Sequence, residues 1–267
     1  MSKRSYIIRD SITMLRRNLR HALRYPSVTL LVVGIPVILL LLFVYVFGGT
    51  LGAGLGPLAG GRSAYVDYVV PGIILIGVAG VSQGTAISVS MDMAEGIIAR
   101  FRTMGIARAS VLTGHVLSST IQTMLGLAVV IGVALSIGFR PDASLIEWIA
   151  AGGVLLMVTL AITWLSVALG LVGKSVESAS NLPMPLMLLP FLGSGFVPTT
   201  TLPDPLRTFA EVQPFTPIME TIRGLLVGGA VGPSAIVAVG WCVALSLLGF
   251  LWALRLYDRI PAHVAAS

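Results

Sequence analysis

Charge is scarce in this chain. Only 10% of its 267 residues are Asp, Glu, Lys or Arg, against 56% hydrophobic residues. Soluble domains carry about 25% charge, so water is excluded as the solvent for most of this surface. The mean hydropathy of +0.96 points the same way. Cysteine is nearly absent: Cys242 stands alone, which excludes an internal disulfide and reads as an inert buried thiol. His21, His115 and His263 are scattered along the chain, too far apart in sequence to suggest a metal site, which needs several ligands. Period-two alternation is missing, which argues against a transmembrane barrel of short alternating strands. No cleavable signal peptide is expected, because the first 25 residues carry seven Lys/Arg and no apolar core, and the first apolar run is long enough to stay as a span.

What is there is a set of long, unbroken apolar runs. A backbone in lipid must satisfy its own hydrogen bonds, and a crossing helix needs about 20 apolar residues. The expected fold is all-α and polytopic, with six transmembrane helices at Val28–Phe47, Tyr68–Ser90, Val111–Phe139, Trp148–Val172, Ala179–Val197 and Ala235–Leu254. Pro183, Pro185 and Pro190 interrupt the fifth. The expected organisation is an amphipathic interfacial segment over 1–27, a transmembrane domain over 28–260 and a tail over 261–267.

The net charge is +6, and its placement argues for lipid headgroups rather than nucleic acid as the partner. Lys3, Arg4, Arg9, Arg16, Arg17, Arg20, Arg24, Arg100, Arg102, Arg108, Lys174, Arg255 and Arg259 fall on one side of the six runs. Arg62, Arg140, Arg207 and Arg223 fall on the other. The positive-inside rule then places both termini in the cytoplasm, and the even number of spans agrees. Tyr65, Tyr68, Trp148 and Tyr257 are expected to anchor the helices at the lipid interface.

Three segments outside the spans are distinctive. Ile8, Ile12, Leu15, Leu19 and Leu23 recur at helical spacing among arginines, as in a helix lying flat on a membrane. After the second span, Met93, Ile97, Phe101 and Met104 share one helical face, with Glu95, Arg100 and Arg102 elsewhere. Such a helix suits either a groove on a partner protein or the lipid surface. Before the last span, residues 198–233 hold Pro203, Pro214 and Pro217, then a short apolar stretch carrying Glu220 and Arg223. That stretch is too short to cross, and two short helices with prolines at their starts are expected.

Chemistry is sparse. The spans as drawn hold no Asp or Glu, which argues against proton coupling; His115 near the start of span 3 reads as an isolated bundle-facing histidine. Gly173-Lys174-Ser175 has the ending of a phosphate-binding loop, but Ala168 stands where the pattern needs glycine, and a span precedes it. No catalytic, cofactor or metal site is nominated. A polar stripe on spans 2 and 3 includes Gln83, Ser118 and Gln122, with Gly80 and Gly84 as a small-residue pair. It reads as helix packing or as the lining of a weakly polar passage.

The order of these features resembles the ABC-2 type permease family. The residues EGIIARFRTM, from Glu95 to Met104, are similar to those of daunorubicin/doxorubicin-resistance permeases of actinobacteria. So are Tyr68 to Gly72 (YVVPG), Phe196 to Pro198 (FVP) with Leu202-Pro203, and Gln213 to Pro217 (QPFTP) followed by Leu225-Leu226. Gly105 and His115 depart from the family, which often has proline and arginine there. The resemblance implies a permease subunit of an ATP-driven exporter in the cytoplasmic membrane. Its substrate would be an amphipathic or hydrophobic drug, lipid or glycolipid.

Under that resemblance, Glu95, Gly96, Ile97, Arg100, Phe101, Arg102 and Met104 would form the helix that couples to the ATPase. Pro203, Pro214, Pro217, Glu220 and Arg223 would belong to an outer re-entrant hairpin. Two separate ATPase subunits would bind the ATP and magnesium, and a second permease chain, identical or related, would pair with this one. The chain itself would be no enzyme and hold no cofactor. The alternatives are an ATP-independent carrier or channel, with sodium held by backbone carbonyls, and a membrane enzyme acting on lipid.

Overall fold

The computed structural model describes residues 26–53, 61–97, 108–229 and 231–259. The expected interfacial helix over 5–24, Arg100, Phe101, Arg102 and Met104 of the expected coupling helix, and the tail over 261–267 lie outside these residues. Among the described residues every regular element is helical.

Five helices among the described residues are long and apolar enough to cross a membrane. The first begins as α1 (Pro26–Leu41), passes through a π-helical turn (Leu42–Phe47) and ends as α2 (Gly48–Ala53). The others are α3 (Gly61–Ala94), α4 (Arg108–Ser136), α5 (Leu145–Val172) and, last in the chain, α10 (Gly232–Arg259). Helix α3 is the centre of the bundle: its membrane-length stretch is 83% buried, against 17% for α10. Val69, Val70, Ile73, Ile74, Leu75 and Ala79 on α3 are fully buried.

The fifth expected span is not one helix. Residues 179–197 fall into α6 (Val176–Asn181), α7 (Met184–Leu188), a 3-10 turn (Leu189–Leu192) and an irregular stretch. Proline has no N–H to donate to the carbonyl four residues back, so Pro183, Pro185 and Pro190 break the ladder. The segment still follows a long path. Ser180 near its start contacts Gln83 of α3, and Gly195 near its end contacts Gly72 of α3. It therefore runs antiparallel to α3 over much of the bundle.

That path is required by the helices on either side of it. Helices α5 and α10 run in the same direction: Leu165 lies against Gly249, and Leu171 and Tyr257 share an apolar cluster near both C-terminal ends. The chain must return the length of the bundle between them. Two short helices complete the return, α8 (Asp204–Val212) and α9 (Phe215–Val227). Pro203 and Pro214 stand immediately before them, and Pro217 lies in the first turn of α9, where a missing N–H costs nothing. Helix α8 is largely exposed, whereas α9 is buried through Phe215, Ile218, Met219, Ile222 and Leu226.

Two expectations about surface residues are corrected. Tyr65 and Tyr257 are fully buried and Tyr68 is 7% exposed, so these rings pack inside the chain and do not anchor it in lipid. Gly80 and Gly84 do not form a tight contact within the chain, since a Cβ on either would meet nothing within 4 Å. The close approaches use other glycines: a Cβ on Gly170 would lie 2.7 Å from the Ala86 carbonyl oxygen, and one on Gly249 would lie 2.6 Å from Leu165 N.

Candidate functional site

Helix α3 carries notable groups at both ends and in the middle. At its C-terminal end, Asp92 lies in the last turn, inside the helix and not in the following loop as the sequence suggests. Its Oδ2 is 3.1 Å from Nε2 of His115 on α4, and the two side chains are only 10% and 5% exposed. His115 is therefore not isolated, and the bundle does hold a carboxylate. The pair sits beside an apolar cluster of Val89, Leu112, Val116, Val167, Ala168, Leu171, Ala253 and Tyr257, which joins α3, α4, α5 and α10.

The helix ends just beyond. The N–H of Glu95 donates to Met91 O at 2.9 Å and that of Gly96 to Met93 O at 3.1 Å. Gly96 has φ +68°, the left-handed conformation that terminates helices and favours glycine. Glu95 is exposed, and Gly96 and Ile97 are partly exposed. The expected coupling residues thus begin at a sharp break in the backbone.

In the middle of α3 the polar stripe divides. Thr85 Oγ1 donates to Ser119 Oγ at 2.9 Å, tying α3 to α4. Ser118 is buried and donates to the His115 carbonyl in its own helix. Gln83 is partly exposed and donates through Nε2 to Ser180 O at 3.1 Å, bridging to the proline-broken segment. Gln122 is partly exposed on α4.

At the N-terminal end of α3 three elements converge. Arg223 of α9 places its guanidinium carbon 4.0 Å above the centre of the Tyr68 ring. Its Nη2 donates to Ser194 O at 2.6 Å and to Tyr68 O at 3.2 Å. Its Nε is buried with no partner among the described residues. Burial pulls the guanidinium below its ordinary pKa, while Tyr68 and Glu220 push it back up; arginine remains a cation under such pressures. Beneath the guanidinium the backbones meet: a Cβ on Gly72 would lie 2.8 Å from Cα and O of Gly195. Gln213 Nε2 donates to Thr216 Oγ1 at 3.0 Å, and its Oε1 accepts from the Phe215 N–H at 3.0 Å, fixing the corner between α8 and α9. Phe196 packs 4.5 Å from Phe43 of the π-helical turn and 5.3 Å from Phe191. Glu220 accepts from Ser234 Oγ at 3.1 Å.

Sequence reasoning misses the two most specific contacts. Asp92 and His115 are 23 positions apart, and Arg223 and Tyr68 are separated by 155. The signal that could find the first is a charge just inside the end of a long apolar helix, which in lipid calls for a partner. Glu211 is paired with Arg207 at 2.8 Å one helical turn away.

The described residues form a bundle of long apolar helices, with a hydrogen-bonded Asp–His pair near one end of the central helix and an arginine-centred junction toward the other, as a multi-pass membrane protein would have. The chain belongs to the ABC-2 type transporter family, whose pattern it matches over residues 10–227. It is 27% identical over 266 residues to the daunorubicin resistance ABC transporter permease protein DrrB1 of Streptomyces coeruleorubidus, covering 97% of this chain and 90% of that one. It is 26% identical over 198 residues to the probable doxorubicin resistance ABC transporter permease protein DrrC of Mycobacterium tuberculosis, covering 73% of this chain and 71% of that one.

Proposed function

We propose that this chain is the permease subunit of an ATP-driven exporter in the cytoplasmic membrane, moving an amphipathic or hydrophobic molecule of drug, lipid or glycolipid type. Two ATPase subunits on separate polypeptides bind the ATP and magnesium. A second permease chain, identical or related, completes the pathway. The relatives are named for resistance to daunorubicin and doxorubicin, which supports the substrate class.

The observation that carries this reading is the course of α3. It is a single helix of 34 residues, about 50 Å long at 1.5 Å per residue. One end stops at the Glu95–Gly96 turn that opens the proposed coupling segment, Glu95 to Met104. The other end holds Tyr68 and Gly72 at the junction with Ser194, Gly195 and Arg223. A rod of this kind carries a displacement from one membrane face to the other.

In the proposed orientation the Asp92 end and both termini are cytoplasmic, as the arginine distribution favours. The proline-broken segment over 179–197 is the fifth of six crossings; the parallel course of α5 and α10 supports this. Helices α8 and α9 form the outer re-entrant hairpin, from Pro203 to Gly229, with Glu220 and Arg223 on its inner arm. Closure of the ATPases on ATP pushes the coupling segment. Helix α3 then shifts against the hairpin, and the substrate leaves outward or into the outer leaflet.

The test uses the tagged chain purified gently from membranes, with mass spectrometry identifying what comes with it. The complex and the chain alone are then reconstituted in liposomes with doxorubicin as a fluorescent probe. A stoichiometric ATPase and uptake that requires ATP are expected. Uptake by the chain alone, indifferent to ATP, would establish a carrier or channel and end the exporter reading.

A further inference from the structure

The permease reading leaves the Asp92–His115 pair without a task. Isolating a carboxylate from water costs several kcal/mol unless it is paired, and apolar side chains of similar volume hold two helices together at least as well. What a hydrogen-bonded pair adds is a fixed register between the two helices that carry it. Leu112 and Val116 on one helix and Val89 on the other supply adhesion around it, but apolar contacts alone tolerate sliding.

The location of the pair gives that register a use. Asp92 lies one turn before the Gly96 break, and His115 lies in the second turn of α4. The segment between the two helices is the one the proposed ATPase contact occupies. A force delivered there reaches α3 through residues 95–97 and α4 through residue 108. Without the pair, only apolar packing and the more distant Thr85–Ser119 bond resist separation of the two helix ends under that force. The 3.1 Å contact between Asp92 Oδ2 and His115 Nε2 closes the loop at its base. Ser118 Oγ, bonded to the His115 carbonyl at 3.0 Å, helps to fix the backbone from which the imidazole projects. Further along, the Thr85–Ser119 bond repeats the link between the same two helices.

We infer that Asp92 and His115 are positioning residues that make α3 and α4 move as one body when the coupling segment is displaced. The inference rests on the reading of the chain as an ATP-driven permease. In this role both act through the helices that carry them and not by contact with substrate or nucleotide. Their loss uncouples hydrolysis from transport by letting α4 lag behind α3.

The test uses the full complex with its ATPase in liposomes. Asp92→Ala and His115→Ala, each of which removes the contact, are compared with the wild type, with the exchanged double variant Asp92→His/His115→Asp, and with His115→Arg. Transport per ATP hydrolysed is expected to fall by about tenfold in the two single variants, within the usual span of coupling energies between sites. Assembly and ATPase rate stay near wild type in the single variants, which a merely structural role would not allow; the exchanged pair restores the stoichiometry and His115→Arg retains it. A second readout is geometric. In a Cys242→Ala background, spin labels replace the exposed Met91 and Leu117. One distance, unchanged by nucleotide, is expected in the wild type, and a second distance appears with nucleotide in Asp92→Ala.

An assembled, transporting complex whose stoichiometry and label distance ignore the single substitutions overturns the inference. So does a loss that the exchanged pair does not restore and that His115→Arg shares. Failure of the wild-type chain to associate with any ATPase is a different result, because it removes the permease reading itself.

Discussion

Arg223 stacks its guanidinium 4.0 Å over the ring of Tyr68 and donates to the Tyr68 carbonyl as well. One side chain thereby grips both the face and the backbone of its neighbour, while its other bond holds Ser194. Arginine suits this geometry because its planar fork stacks and donates at once; the lysine ammonium does neither in the same way. Arg223→Ala would remove the stacking and leave the Ser194 carbonyl short of its donor, at a cost of about 1–3 kcal/mol if it stays buried, while the Tyr68 carbonyl keeps its place in the helical ladder. A lower melting temperature in detergent is expected for Arg223→Ala, with only partial recovery in Arg223→Lys. Equal melting for Arg223→Lys and wild type would mean that the charge alone suffices.

The glycine contacts make a paired prediction. A side chain at Gly72 would drive into the Gly195 backbone, which is 2.8 Å from the Cβ position, whereas Gly80 has open space. Overpacking of this kind costs about 1–3 kcal/mol. Gly72→Val is expected to lower thermal stability and block transport by prising the broken segment from α3. Gly80→Ala is expected to be neutral or to stabilise, since alanine exceeds glycine in helix propensity by about 1 kcal/mol. Melting curves for the two variants decide the matter.

The bond from Gln83 to Ser180 O is a third point of attachment for the broken segment. Helix α6 ends at Asn181, so the Ser180 carbonyl belongs to the unpaired last turn of that helix. Gln83→Leu should speed hydrogen exchange at residues 178–184, where the proline breaks already weaken the ladder, and leave α5 unchanged. By contrast, Thr85→Val should lower stability only slightly, because side-chain hydrogen bonds between membrane helices average about 0.6 kcal/mol.

The long helices are legible in the sequence because lipid demands unbroken apolar runs, and every run marked by pattern contains helix. The ends are less legible where charge is involved. By pattern the second run stops at Ser90 because Asp92 follows, yet the helix continues to Ala94, with His115 partnering that carboxylate. Its start likewise lies upstream of Asp67, whose Oδ1 accepts from the Arg140 N–H at 3.1 Å. Partners at such sequence distances leave no local periodic signal. The prolines of residues 183–190 announce a disturbed helix, but the return path along α3 emerges only from the contacts at Gln83 and Gly72. Tyr65, Tyr68 and Tyr257 illustrate the opposite error: composition favours aromatic side chains at interfaces, while packing has taken these rings inside.

A helix α3 that carries the ATPase state to the junction around Arg223 must shift against α8 when nucleotide binds. The direct measurement is the distance between spin labels at Ser63 on α3 and Arg207 on α8, both exposed, in a Cys242→Ala chain reconstituted with its ATPase. A shift in that distance is predicted when ATP is trapped by vanadate, returning when nucleotide is removed. An unchanged distance in a complex that hydrolyses ATP and transports would contradict the account.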